Sequence, residues 1–458
     1  SGMRLVVLFI LLSISVSAQE SFTLQQAIDY ALQNSPELQM DYLDIRDADA
    51  QITEFKAIGL PQLDGKINYQ YYIKRPVNPV EDFITPSVYQ VLLAEQVPGV
   101  EPYTGSPEVF EFALFRRNNV NTGLEASWLL FDGSYLSGLK AARMYKGLTR
   151  KAVHITKEEL RANVTKAYMN ILISEENKKT LANNLGNIEK VLKETQAYYD
   201  AGLVEKLDVS RIELSFENVK TEYEKLDQFI DISYNLLKFQ MNYPLYQELS
   251  LSEDLTIMVD QFKITDIDLS SPVDYNERAM YDYLNSSIEL NELNIQRLRR
   301  GYLPNLKAKA NYNQLLQRDD LFDSNELGFI PQSSVSLGIN IPIYDGARKK
   351  GQIQQAQVDL ERVELQKSEF ERAMNMQVQN ARLQYMNASK TLENREKSLD
   401  IVEDIYNKTS IKFSEGIGSS IELIQAEQLL FEAQGNYINA LYDLLISKTD
   451  LDIALGNI

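Results

Sequence analysis

The chain has 458 residues, 65 acidic against 46 basic, and a formal net charge of -19. That balance argues against nucleic acid as a partner, because phosphate binding takes a basic surface. It holds no cysteine and a single histidine, His154, which excludes disulfides, thiolate metal sites, cysteine nucleophiles and histidine metal clusters. With no nucleophile or phosphate-loop motif either, neither an enzyme nor a cofactor is expected.

Ser1-Gly2 precede Met3 and read as an expression scar. Arg4, the apolar run Leu5 to Leu12 and the small residues Val16-Ser17-Ala18 predict a secretory signal peptide cleaved after Ala18. No later segment has the roughly 18 unbroken apolar residues of a membrane helix. An exported chain of this kind can still cross a membrane as a β-barrel.

Thr23-Leu-Gln-Gln26 is a capping box that opens a helix to about Ile58, ended by Pro61. Leu63 to Ile73 then alternates strictly, with Leu63, Ile67, Tyr69 and Tyr71 on one face and Asp64, Lys66, Asn68 and Gln70 on the other. Period two with one apolar face predicts a strand. Residues 74 to 118 carry six of the 13 prolines and many acids, and predict a long loop with at most a short ordered turn. Alternation resumes from Val120 to Leu130, with Trp128 on the apolar face.

From Ser134 to Tyr199 the period is helical. Leu181, Leu185, Ile188, Leu192, Thr195 and Tyr199 follow heptad spacing, which predicts a coiled-coil seam. A rise of 1.5 Å per residue makes this helix about 100 Å long. A tip at Gly202-Leu203 leads to a helix from about Val204 to Met241, and Pro244 opens a linker. Ser271-Pro272 predicts the next helix start, running to about Gly301. Leu306 to Asn313 and Ser334 to Ile341 alternate as two more strands. A second long helix follows, with the seam Val378, Ala381, Tyr385, Ala388, Leu392, Arg395, Leu399, Val402, Tyr406, Thr409 and Phe413. It stops at Gly416-Ile417-Gly418, and Ser419 with Glu422 forms a capping box for the last helix, to about Leu455.

The two tips correspond at a constant separation of 214 residues: Gly202 with Gly416, Asp208 with Glu422, Glu213 with Glu427, Tyr223 with Tyr437. A shared feature at fixed spacing marks an internal duplication. The predicted organisation is a first repeat over 19–242, an equatorial linker over 243–271 and a second repeat over 272–458. Pro61 and Pro304, at the two strand openings, are 243 apart, so the first repeat's hairpin loop is about 30 residues longer.

The fold class is mixed α and β, a duplicated unit of long helices and two strand pairs. Strands of about 10 residues suit a tilted membrane-spanning strand, and the aromatics Tyr69, Tyr71, Tyr72 and Trp128 suit a membrane interface. Four strands cannot close a barrel, and open edges are excluded from lipid. Other copies must then complete it. The alternatives are a soluble β-sandwich cap on a coiled-coil stalk, and a periplasmic adaptor or structural coiled-coil protein.

TLQQAIDYALQNSPELQ near the start, the two Leu-Pro-x-Leu strand openings, PIYDGARKKGQIQQAQ, the glycine-centred tips and the ending LISKTDLDIALG together resemble the TolC-type outer-membrane efflux family, over essentially the whole mature chain. The resemblance implies a homotrimer in the outer membrane. Its 12-stranded barrel, with four strands from each subunit, continues as a tunnel of twelve helices across the periplasm. It implies a passive exit duct for efflux or type I secretion, with a periplasmic adaptor and an inner-membrane pump as partners. The duct closes at the helical tips and carries no chemistry.

Carried over position by position, the family's closing network falls on Asp208 in the first repeat, and on Phe413, Gly418, Glu422 and Gln425 in the second. Gly418 stands where the family has an arginine and Gln425 where it has an acid, so closure by salt bridges of the familiar kind is not expected. Asp208 and Glu422 are expected to form acidic rings at the constriction, or else to serve as helix-capping residues. Gly202, Leu203, Gly416 and Ile417 are the implied adaptor contacts.

Overall fold

The computed structural model describes residues 20–106, 108–113, 115–262, 271–323 and 328–457. The signal peptide, its cleavage point and the end of the linker lie outside this range. In chain order, strand β1 (Glu20–Phe22) precedes helices α1 (Leu24–Asn34) and α2 (Pro36–Ile58) and strand β2 (Gln62–Tyr71). Next come β3 (Asn78–Glu81), α3 (Ile84–Ala94), β4 (Val109–Phe112) and β5 (Asn118–Phe131). Helices α4 (Gly133–Asp200) and α5 (Lys206–Met241) lead to β6 (Leu249–Leu251) and α6 (Leu255–Phe262). A 3-10 turn (Tyr275–Glu277) and α7 (Ala279–Arg300) precede β7 (Asn305–Arg318) and β8 (Ile330–Asn340). Helices α8 (Arg348–Ser414) and α9 (Ser420–Leu455) complete the chain.

Contacts divide the chain into two compact units, each drawn from both sequence repeats. The first takes residues up to Asp49, then Met144–Leu290 and Asp359 onward. Its main core gathers Ala27 and Ala31 of α1, Tyr168, Met169 and Ile171 of α4, Leu237 and Met241 of α5, Val378 and Tyr385 of α8, and Leu444 and Leu445 of α9. Burying one such side chain contributes about 1.5–3 kcal/mol. The α8 seam is buried at Val378, Ala381, Tyr385, Ala388, Leu392 and Phe413, as its spacing predicts, whereas Arg395 is exposed. The α4 seam is broader than the expected one. Ile188 and Thr195 are buried and Leu185 and Leu192 pack against the tip core, as the spacing predicts, but Asn184 and Val191 are buried as well, while Tyr199 is exposed.

Three features of this unit depart from the sequence expectation. The first helix is two, because Ser35 precedes Pro36 and is extended, with ψ 123. Asn242, left-handed at φ 56, donates its side-chain amide to the Asn34 carbonyl at 2.9 Å and so caps the end of α1. Helix α7 begins at Ala279 and not at Pro272. The Glu158 carboxylate of α4 accepts the Ala279 amide at 2.9 Å and pairs with Arg278 at 3.4 Å. A partner distant in sequence thus supplies the N-terminal cap. Strand β1 pairs in parallel with β6, Phe22 opposite Leu251, a contact between chain segments too short to show a period.

The second unit comprises Ala50–Arg143 and Asn291–Val358. It holds a four-stranded antiparallel sheet in the order β2-β5-β7-β8. The register sets Leu63 opposite Ala126, Ala126 opposite Ala310 and Ala310 opposite Val335. Leu63, Ile67, Leu124, Trp128, Tyr312, Val335, Leu337 and Ile339 therefore share one face, and all are exposed, Ile67 at 80% and Val335 at 85%. The opposite face carries Lys66, Glu125 and Lys309, where Lys66 and Lys309 both pair with Glu125. Within the chain, β2 and β8 are edge strands.

Residues 74–118 are more ordered than a loop. Strands β3 and β4 form a ribbon, and the Asp82 carboxylate accepts the Ile84 and Thr85 amides at 3.0 and 2.9 Å to start α3. Pro79 sits in a two-stranded ribbon and Pro86 in a first helical turn, both positions that tolerate proline. Asp319 ties this insert to the sheet: it accepts from Arg75 at 3.2 Å, Arg116 at 2.6 Å and the Arg117 amide at 3.1 Å.

Candidate functional site: the paired hairpin tips

Helices α4 and α8 end in the same way. Gly202 takes φ 76, its amide bonding Tyr199 O at 2.9 Å and the Leu203 amide bonding Tyr198 O at 2.8 Å. Gly416 takes φ 74, its amide bonding Phe413 O at 3.0 Å and the Ile417 amide bonding Lys412 O at 3.0 Å. Both are Schellman closures, in which the left-handed residue is glycine because a side chain there is strained. They leave Leu203 and Ile417 projecting, 72% and 78% exposed.

The two restarts differ. At α5, the Glu205 amide donates to Asp208 Oδ2 at 3.2 Å. The other Asp208 oxygen accepts the hydroxyl of Ser420, from the opposite hairpin. Arg211 lies 3.6 Å from Asp208 and 3.4 Å from Ser420 Oγ. Asp208 is thus a capping group and a link between hairpins at once. At α9, Ser419 Oγ accepts the Glu422 amide at 3.2 Å. The return bond of the expected capping box is not made, and Glu422 and Gln425 are both exposed.

Phe413 is buried with Ile188, Val191, Ile212 and Leu423 in a small core distinct from the main one. Gly418 lies against the backbone beside it. A Cβ there would stand 3.0 Å from Phe413 N and 3.1 Å from the Lys412 carbonyl carbon. The absence of an arginine at this position thus has a steric basis. Tyr198 donates its hydroxyl to Ser414 O at 3.1 Å, a second bond between the hairpins.

Two further polar pairs join the hairpins. Ser215 donates to Glu427 Oε2 at 2.6 Å, and Asn184 donates to Gln434 Oε1 at 2.6 Å. Burial raises the Glu427 carboxyl above the ordinary glutamate range, and the Ser215 bond offsets this only in part. Leu423, Glu427, Leu430, Gln434, Tyr437 and Leu441 follow heptad spacing, so the α9 seam was available from the sequence and shows where these polar groups point. Among the described residues no acid or histidine cluster could hold a metal, and no helix is long and apolar enough to cross a membrane.

The sequence profile of the family described as Outer membrane efflux protein matches residues 27–242 and 287–457. The chain is 23% identical over 364 residues to Outer membrane protein TolC of Escherichia coli K12, covering 74% of this chain and 70% of that one. It is 20% identical over 379 residues to Outer membrane protein TolC of Vibrio cholerae, covering 81% and 80%. Its fold is similar to the crystal structure of CusC, with TM-score 0.73 at 17% identity over 95% of this chain and 92% of that one. The open state of the Neisseria gonorrhoeae MtrE outer membrane channel gives TM-score 0.71 at 17% identity over 94% and 88%. The adaptor, sandwich-cap and enzyme alternatives fall away: the chain belongs to the outer membrane efflux protein family and is an outer-membrane protein, not an enzyme.

Proposed function

We propose that the chain is one subunit of a homotrimeric exit duct, in which three four-stranded sheets close a 12-stranded barrel in the outer membrane. The observation that carries this is the sheet itself, whose apolar face is exposed and whose edge strands β2 and β8 each leave one edge unpaired among the described residues. An apolar face is stable in lipid, and an open edge is not, so lipid and other copies together satisfy the sheet. The dimensions support it. Trp128 and Tyr71 lie on that face ten rungs apart, with Tyr312 between them. At about 3.4 Å per residue and a tilt near 40°, the separation is about 26 Å, close to the apolar band of outer-membrane barrels.

The duct works with a periplasmic adaptor and an inner-membrane pump, the adaptor meeting the exposed apolar tips at Gly202-Leu203 and Gly416-Ile417. Its gate is the paired tips. The link of Asp208 to Ser420 and the core around Phe413 hold the hairpins together, while Glu422 supplies an exposed acid from each subunit. Acids converging on an axis favour cations. Detergent extraction of outer membranes tests the reading: it requires a heat-modifiable species with the mass of three chains. A monomer in the soluble periplasmic fraction would refute it.

A further inference from the structure

Glu427 is the only acidic side chain buried among the described residues, 3% exposed. It occupies a seam position of α9, and its counterpart in the first repeat, Glu213, is exposed. Duplication therefore placed a carboxyl at both sites, and only one is enclosed. Its partner is the neutral hydroxyl of Ser215 on α5.

No cation faces it. On α5, Arg211 lies one turn before Ser215 and is engaged by Asp208 and Ser420. On α8, the phenol of Tyr406 is the group that feels its charge. On α4, the tip core contributes Ile188 and Val191, while Lys190, Lys193, Glu189 and Glu194 pair with one another outside it. On α9 itself, Glu422 and Gln425 are exposed. An ionised carboxylate so placed is disfavoured, and the neutral acid is not. Gln434, two seam positions on, serves the same joining role with an amide that never ionises. A polar seam residue fixes register whether or not it titrates, so the acid at 427 adds something that an amide does not.

We propose that Glu427 is a proton-operated latch of the hairpin tips: neutral, it is buried in the contact of α9 with α5 beside Ser215, and ionised, its charge disfavours that burial and loosens the tips. This rests on the reading of the tips as the gate. Burial holds the Glu427 proton to higher pH in the packed tip than in water. Packing is therefore favoured at low pH and weakens as pH rises through that raised range. One linked proton changes the packing equilibrium by at most about tenfold per pH unit.

Amide hydrogen exchange of the full-length, detergent-extracted protein tests this, read at 206–216 and 420–430 over a pH series and corrected for intrinsic exchange. The wild type loses protection with rising pH, by up to about tenfold per unit. Glu427→Gln keeps its protection with no such slope, and Glu213→Gln behaves as the wild type. A flat wild-type profile, or a Glu427→Gln protein retaining the wild-type slope, overturns the latch. Bilayer conductance at the same pH values separates the two readings. A sloping exchange profile with unmoved conductance refutes the tip as gate and leaves the latch standing.

Discussion

Asp208 and Glu422 hold corresponding positions in the duplicated tips, yet one accepts a hydroxyl across the hairpins and the other faces solvent. Spacing made their equivalence visible in the sequence. Their difference depends on Ser420, whose side chain meets Asp208 only once two hairpins are packed together. Ser420→Ala removes the donor and should destabilise the tip by about 1–3 kcal/mol, seen as faster amide exchange at 206–216. Glu422→Gln should leave that exchange unchanged and reduce cation selectivity, and unaltered selectivity would count against the acidic ring. Asp319 offers a pH test at the other end of the chemistry. Its hydrogen bond from Arg116, then the Arg117 amide and Arg75, hold its carboxyl below the usual range. A lowered acid stabilises above its unfolded value and loses that contribution as pH falls through the folded one. Proteolysis within residues 74–117 should accordingly quicken at acid pH, and Asp319→Ala should quicken it at neutral pH.

Among the elements, helices and strands with a sustained period were legible, and the α8 seam shows why. A heptad run from Val378 to Leu392 has one way to hide its apolar side. Two of the elements that departed are set by a single distant partner. Glu158 moves the start of α7 to Ala279, and Leu251 pairs Phe22 into a strand three residues long. Proline count hides the order of the insert, because Pro79 and Pro86 fall where a missing amide does no harm. Seam and tip substitutions separate the contributions. Leu444→Ala, at a fully buried α9 position, should cost about 2–5 kcal/mol of stability. Gly416→Ala should cost about 1–2 kcal/mol by strain alone, since φ 74 suits glycine. Thermal unfolding of the detergent-extracted protein measures both.

For the whole molecule, the proposed trimer rests on one sheet. Among the described residues, that sheet has an exposed apolar face and two edges with no strand beside them. The two faces are legible in the alternation, and the need for further strands in the count of four. The register between β5 and β7, which joins the two repeats into one sheet, came only with the structure. Copies of this chain are proposed to close a barrel, and the paired tips to hold its passage shut. Single-channel conductance of the purified full-length protein in planar bilayers tests it most directly. Wild-type channels should conduct weakly and favour cations, and Ser420→Ala channels should conduct more. Absence of discrete channels, or identical conductance in the two proteins, would contradict it.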